Sequence, residues 1–113
     1  MHELAVTQSM LDLVLSEAKS AGAAKVERIN LVIGQMSGVV GESVEFYFRL
    51  LSEGTIADGA AVCFTNTQTQ ARCRDCGTIF VVEESQWLCP GCRSVSLEIT
   101  GGNELVVESI EVE

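Results

Sequence analysis

Apolar residues recur at helical spacing in the first twenty positions of the chain. They lie three or four residues apart and share one side of a helix, as do Val6, Met10, Leu13 and Val14. This spacing predicts a helix over residues 4–21. Gly22 follows directly, and because glycine can adopt the left-handed conformation that closes a helix, we expect the helix to stop there.

The apolar period changes to two in the next segment and then becomes helical again. Between residues 25 and 33, apolar side chains at every second position predict a strand, namely Ile29, Leu31 and Ile33. Glycines interrupt the pattern after this strand. A second helix ending near Gly54 is predicted from the helical spacing of Val44, Tyr47, Phe48 and Leu51.

Alternating segments also flank a cysteine-rich stretch in the second half of the chain. Val62 and Phe64 alternate with polar neighbours and predict a strand that extends to about residue 70. Near the C-terminus, a strand that rejoins the first sheet is predicted with one side formed by Val106, Ile110 and Val112. Residues 73–92 lie between these strands and hold few aliphatic side chains, so this segment needs help to fold.

Four cysteines in two Cys-x-x-Cys pairs provide that help. Two residues between cysteines let one tight turn direct both thiolates at a single ion, and a hairpin can bring the second pair to complete a tetrahedron. The spacing therefore predicts one metal site formed by Cys73, Cys76, Cys89 and Cys92.

Three occupants of this site are compatible with the spacing. Zinc is favoured because four thiolates leave no open coordination position for chemistry, which is typical of structural zinc. A single iron in a rubredoxin-like site is the second, and two disulfides are the third. The fifth cysteine, Cys63, stands alone between apolar neighbours and is interpreted as a small buried hydrophobic residue.

These elements predict an α/β (α+β) fold, with two helices packed on a small three-stranded sheet and an inserted zinc-ribbon-like module. The first domain would comprise residues 1–70 plus 101–113. The zinc-binding domain would comprise residues 71–100.

The charge balance of the chain excludes some partners. Its 113 residues carry 16 acidic and 7 basic side chains, a formal net charge of −9. Because phosphate backbones are bound largely by Lys and Arg, we expect no nucleic-acid partner and no attachment to anionic membranes. The N-terminus lacks a basic segment and a continuous apolar run, so we expect no signal peptide and a cytoplasmic protein. Thiols stay reduced there, which favours metal ligation over disulfides.

The only histidine of the chain occupies position 2. The α-amine, nearby backbone nitrogens and the imidazole of His2 can all reach one ion, and such nitrogen-rich planar sets suit nickel(II) or copper(II). Glu3 adds a carboxylate within the same reach. The alternative is that His2 is a frayed terminal residue without a function.

The segments that surround these candidate sites resemble one protein family. The features are the opening Met-His-Glu-Leu, residues 29–34, the Ser37-Gly38-Val39 turn before Glu42-Ser43, the Glu53-Gly54-Thr55 turn, the Cys-x-x-Cys pairs and Gly102-Asn103-Glu104-Leu105. Together they resemble the HypA/HybF family of hydrogenase maturation nickel metallochaperones over nearly the whole chain.

The resemblance implies a function in nickel delivery. It implies that residues 1–70 plus 101–113 form a nickel-binding domain, with His2 and Glu3 as nickel ligands, and that the four paired cysteines bind zinc. The implied partners are the GTPase HypB and the large subunit of a [NiFe]-hydrogenase, with the chain itself a monomer or weak homodimer. At Val40 this chain lacks the acidic residue that serves some relatives as an extra nickel ligand.

We therefore predict a metallochaperone and not an enzyme. No Gly-x-x-x-x-Gly-Lys-Ser/Thr motif occurs, so GTP hydrolysis must come from the partner. Two alternatives are a rubredoxin-like iron electron carrier and a zinc-ribbon protein-interaction module with an idle N-terminus.

Overall fold

A computed structural model describes residues 3–83 and 86–113. The α-helices and strands are α1 (Glu3–Ser20), β1 (Val26–Gly34), α2 (Gly41–Leu51), β2 (Ala61–Thr67), β3 (Gln70–Cys73), β4 (Ile79–Val81), β5 (Leu97–Gly101) and β6 (Leu105–Val112). One 3-10 turn, Gln35–Ser37, follows β1. Within these ranges, neither helix is both long and apolar enough to cross a bilayer.

β1 is the central strand of the first sheet. β2 lies parallel to it on one side, and β6 lies antiparallel to it on the other. The buried cluster under the two helices is formed by Met10, Leu11, Val14, Ala18, Val26, Ile29, Leu31, Ile33, Val39, Val44, Phe48 and Ala57. Arg28 and Asn30 lie on the opposite face, where one side of the sheet is left without a helix. The predicted fold of two helices on a small three-stranded sheet is confirmed.

The buried side of α1 differs slightly from the predicted one. Met10 and Val14 are buried as expected, but Leu13 is 48% exposed and Leu11 is buried in its place. The buried stripe also includes Thr7 and Ala18, which a search for large apolar residues overlooks. The Thr7 hydroxyl donates to the backbone oxygen of Glu3 at 2.5 Å, which satisfies the polar group inside the core.

A bulge in the pairing of β6 with β1 determines which β6 side chains face the core. Asn30 pairs with Ser109 and the next residue, Leu31, pairs with Val107, so Glu108 is an extra residue on β6. Such a bulge changes which side chains face the core. Val107 and Ile110 pack against the core, whereas Val106 is 49% exposed. The prediction that Val106, Ile110 and Val112 share the inner side is therefore wrong.

A second three-stranded sheet is built by the cysteine-rich part of the chain. β3 is its central strand and pairs antiparallel with both β4 and β5. β4 has three residues and β5 has five, and neither strand was predicted, because such short runs give no clear alternation. We call residues 70–101 the cysteine module and the rest of the described chain the helical half. The inserted position of this module agrees with the predicted zinc-ribbon-like insertion.

The chain passes between the two sheets at a polar junction. Gly34 N–H donates to the backbone oxygen of Glu104 at 2.6 Å, and Met36 N–H donates to that of Gly102 at 2.5 Å. The Glu104 carboxylate accepts hydrogen bonds from the Thr67 hydroxyl at 2.7 Å and from the Gly102 N–H at 3.0 Å. The end of β1, the end of β2 and the start of β6 are thereby joined.

The Glu104 carboxylate should make the stability of the protein pH-dependent. The Thr67 hydroxyl, with the backbone N–H groups of Glu104 and Gly102, lowers the pKa of this carboxyl below its ordinary value of 4.5. Because the folded protein favours the ionised form, Glu104 stabilises the fold fully above the unfolded-state pKa and progressively less as the pH falls through the folded-state pKa. We expect Glu104→Gln to unfold at lower urea than the parent at pH 7, with the gap closing below pH ~4.5.

Urea unfolding of parent and variant across this pH range measures the gap. Because the cysteine thiolates also protonate in acid, the informative quantity is the difference between the two proteins at each pH. Glu108→Gln, on the exposed bulge of the same strand, is the matched control and should show no such gap. A gap for Glu104→Gln that stays constant down to pH 3 would contradict this assignment.

Candidate metal centre

The two Cys-x-x-Cys pairs form two turns with the same backbone hydrogen bonds. In the first turn, Gly77 N–H donates to the backbone oxygen of Cys73, and Cys73 N–H donates to that of Thr78, both at 2.9 Å. In the second turn, Arg93 N–H donates to the backbone oxygen of Cys89, and Cys89 N–H donates to that of Ser94, both again at 2.9 Å. The two pairs therefore repeat in structure as well as in sequence. A hydroxyl residue, Thr78 or Ser94, occupies the same position after each pair.

Arg93 is a non-glycine residue at the left-handed position of the second turn. It occupies the place of Gly77 and has the same left-handed backbone, with φ of 62° against 78° for the glycine. A non-glycine residue in this region carries a strain of about 1 kcal/mol or more, which the surrounding turn must offset. The left-handed backbone lets the turn direct both cysteines of the pair toward one point.

The four cysteine sulfurs converge. The Sγ atoms of Cys73, Cys76, Cys89 and Cys92 all lie within 4.8 Å of one another. The Cys73–Cys92 and Cys76–Cys89 Sγ distances are both 3.5 Å. A tetrahedral zinc site with Zn–S bonds of about 2.3 Å requires sulfurs about 3.8 Å apart, so this donor set fits zinc. Among residues 3–83 and 86–113, this is the one group of three or more potential ligand side chains that meets so closely.

The site is half enclosed. Cys73 and Cys89 are buried, whereas Cys76 and Cys92 are exposed. The buried pair comes from the first cysteine of each turn: Cys73 ends β3, and Cys89 lies in the loop between β4 and β5. An ion held here would be anchored from the inside of the module and covered by two exposed thiolates on the outside.

Hydrogen bonds around the sulfurs favour thiolates unequally. The Thr78 hydroxyl, 3.1 Å from the Cys76 sulfur, and the Thr78 backbone lower the pKa of Cys76 to about 6. The backbone N–H of Cys76 lowers the pKa of Cys73. Although the Ser94 backbone favours the Cys92 thiolate, the neighbouring cysteine sulfurs and loss of water contact raise the pKa of Cys92 to about 12. Four thiolates this close repel one another, and a cation relieves that repulsion.

The candidate nickel ligands lie at the opposite end of the sequence. His2 lies outside the described residues. Glu3 is half-buried and begins α1. It lines a groove of about 580 Å³ between the start of α1 and the outer side of α2, together with Leu4, Ala5, Gln8, Tyr47 and Leu51. Val40, at the position of the missing acidic residue, is exposed.

Cys63 does not lie in the core as interpreted. It is half-buried on β2 opposite Asn30, on the face of the first sheet that the helices leave uncovered. Its sulfur lies 3.7 Å from Nη1 of Arg28, which can donate a hydrogen bond to it. Strand alternation places Cys63 opposite in direction to Val62 and Phe64, and this signal was present in the sequence.

Comparison with known proteins gives consistent matches along the chain. A family model described as "Hydrogenase/urease nickel incorporation, metallochaperone, hypA" matches residues 1–112. The hydrogenase maturation factor HypA of Dehalococcoides mccartyi strain CBDB1 is 43% identical over 113 residues, covering 100% of this chain and 95% of that protein. The protein of the same name from Caldanaerobacter subterraneus subsp. tengcongensis is 40% identical over 114 residues, covering 100% of both.

Two solved structures share the fold. The solution structure of the Ni metallochaperone HypA from Helicobacter pylori aligns with a TM-score of 0.72 and 28% identity, covering 99% of this chain and 97% of that one. A second solution structure of a HypA protein aligns with a TM-score of 0.76, also at 28% identity, over 100% and 97% of the two chains.

Proposed function

Since these matches span the chain, it belongs to the HypA family of hydrogenase maturation factors, and we propose that it carries nickel(II) at its N-terminus for delivery to a [NiFe]-hydrogenase large subunit. The family predicted from the sequence is thereby confirmed. The match of residues 1–112 to a nickel metallochaperone family is the observation that carries the proposal. Its relatives are named as hydrogenase maturation factors and as a Ni metallochaperone, which fits a carrier without chemistry of its own.

We propose that the cargo nickel is held by His2, Glu3 and backbone nitrogen. Glu3 is the first residue of α1, and the first four N–H groups of a helix have no partner within it. Nitrogen near Glu3 can therefore be given to a metal without breaking a helical hydrogen bond. A planar set rich in nitrogen is the geometry that nickel(II) prefers.

Transfer of the cargo is proposed to occur by ligand exchange. Ligands at the chain terminus can be replaced one at a time by those of a receiving site while the helical core stays folded. The acceptor would be the hydrogenase large subunit, and the GTPase HypB would be the partner that supplies GTP hydrolysis. A cytoplasmic location fits this role, because the cysteine site requires reduced thiols.

For the cysteine site we propose one structural zinc ion held by Cys73, Cys76, Cys89 and Cys92. The sulfur distances near 3.5 Å and the all-thiolate donor set support zinc. When bound, the ion crosslinks the two turns of the module. Because four protein ligands fill its coordination shell, this ion is not the cargo.

Replacing His2 by alanine tests the nickel site. Loss of a second-shell group alone typically lowers metal affinity about 10–100-fold, so loss of a ligand should lower nickel affinity at least that much. Nickel titration by calorimetry, with zinc quantified in parallel, measures both sites. We expect one zinc per chain throughout and weakened nickel binding only in His2→Ala and Glu3→Gln.

Glu17→Gln is the matched control, since Glu17 is exposed on the same helix about four turns away. It should bind nickel like the parent. Equal nickel affinity of His2→Ala and the parent would overturn the N-terminal site. Iron and a red colour in the purified protein would instead favour the rubredoxin-like alternative, and absence of nickel binding in the parent would favour the interaction module.

A further inference from the structure

The two halves of the molecule have little packing between them. The described chain is elongated, with extents of 54 × 24 × 17 Å. Within residues 3–83 and 86–113, the pairs of elements that pack extensively all belong to the same half, as β1 with β6 or β3 with β5 do. Two clefts of about 600 and 530 Å³ flank the linker between β2 and β3. The relative orientation of the halves therefore depends on the junction itself.

Gln35 and Thr69 form the first bridge across this junction. The side-chain oxygen of Gln35 accepts hydrogen bonds from the Thr69 N–H at 3.2 Å and from the Thr69 hydroxyl at 3.1 Å. Thr69 is buried, and its backbone oxygen accepts a hydrogen bond from Val82 just beyond β4 at 2.9 Å. A continuous polar chain thus runs from the end of β1 into the cysteine module.

Glu104 forms the second bridge. Its carboxylate accepts a hydrogen bond from the Thr67 hydroxyl at 2.7 Å. Thr67 is the last residue of β2 before the linker. The same carboxylate accepts a hydrogen bond from the N–H of Gly102, the residue that follows β5. Thr67 and Glu104 both belong to the helical half, so this bridge ties together the two points at which the chain leaves that half and returns to it.

We propose that Gln35–Thr69 and Thr67–Glu104 form a polar lock that fixes the orientation of the cysteine module relative to the helical half. Each bridge joins a side chain of the first sheet region to one of the two crossing segments, so together they oppose both twisting and bending of the linker. A hydrogen bond to a charged carboxylate is stronger than one between neutral groups, which makes the Glu104 bridge the stiffer of the two. The lock goes beyond the proposed function, because it concerns the orientation of the two halves and not the metal carried.

The lock has a consequence for the carrier. Glu3, a proposed nickel ligand, begins α1 in one half, and the exposed cysteines Cys76 and Cys92 lie in the other. A fixed orientation presents both features at a constant separation, so a single partner can contact them together. Gln35 and Glu104 are in this sense positioning residues that touch neither metal.

Residual dipolar couplings and 15N relaxation of the zinc-loaded protein test the lock without any added label. In the parent, the two halves should share one alignment tensor and one rotational correlation time. In the double variant Gln35→Leu/Thr67→Val, the cysteine module should need a separate, weaker tensor and its own correlation time. Nickel affinity should be unchanged in both proteins.

Conservative variants separate a positioning role from general destabilisation. Gln35→Glu and Thr67→Ser keep the acceptor oxygen and the hydroxyl, and should keep one common tensor. Thr65→Val is the matched control, since Thr65 is exposed on the same strand. If the double variant loses its dispersed spectrum, the single variant Thr67→Val is measured instead. One common tensor in the variant, or two different tensors in the parent, would overturn the lock, whereas failure of the His2→Ala test would not affect it.

Discussion

Replacing Cys89 by serine is expected to unfold the cysteine module while the helical half stays folded. Among residues 70–83 and 86–101, the buried apolar side chains are Ala71 and Val82, apart from the cysteines Cys73 and Cys89. Two small side chains bury too little apolar surface to offset the entropy of ordering some thirty residues. Structural zinc binding contributes about 10–16 kcal/mol to the folding of comparable small domains. The proposed zinc ion would therefore be the dominant stabilising contact of this module.

Zinc stoichiometry and 1H–15N correlation spectra of parent and variant measure this effect. In Cys89→Ser we expect zinc to fall from one per chain toward zero and the amide signals of residues 70–101 to collapse to random-coil positions. Signals of α1 and β1 should remain dispersed, because their core lies in the helical half. The same result would support the predicted division into residues 1–70 plus 101–113 and residues 71–100.

Cys63→Ser is the matched control, because it makes the same substitution at a half-buried cysteine outside the cluster. It should keep one zinc and a folded module. A Cys89→Ser protein that retained a dispersed spectrum for residues 70–101 without zinc would sink the structural role assigned to the ion.

Replacing Gly102 by alanine is expected to destabilise the junction strongly. Gly102 has φ of +94°, and an added Cβ would lie 2.5 Å from the Thr69 Cα and 2.8 Å from the Gln68 backbone oxygen. These neighbours are backbone atoms and cannot rotate away. Left-handed strain and overpacking each cost about 1–3 kcal/mol, so we expect a loss of about 3 kcal/mol or more in the free energy of unfolding.

Urea unfolding at saturating zinc measures the loss. Gly59→Ala is the matched control, since Gly59 has φ of +79° but no atom within 4 Å of an added Cβ. The control isolates backbone strain and should cost about 1 kcal/mol. Equal unfolding midpoints for Gly102→Ala and Gly59→Ala would show that the two segments at the junction can move apart without loss.

Much of the helical half was predictable because its signals are local. Strict alternation at Ile29, Leu31 and Ile33 fixes the inner face of β1, and Gly22 marks the end of α1, where Ala23 N–H donates to the backbone oxygen of Ala18. The spacing of the cysteines likewise predicted their convergence, since two residues between ligands already define a turn.

Other features depend on contacts that no local pattern encodes. The bulge at Glu108 turns Val106 outward, and it arises from pairing with β1 some eighty residues earlier in the chain. Leu13 is exposed because of the face that α1 packs against the sheet, which buries the smaller side chains Thr7 and Ala18 instead. Neither can be read from the segment in which it occurs.

The two helices, the central strand, the convergence of the four cysteines and the family could all be predicted from the sequence, because each rests on residue type and short-range spacing. The inner side of β6, the place of Cys63 and the junction at Glu104 depend instead on how the elements pack. Thr67 and Glu104 meet there because β2 and β5 end, and β6 begins, at one place. Hydrogen bonds between residues so far apart in sequence depend on the packing of whole elements, which is settled when the chain folds.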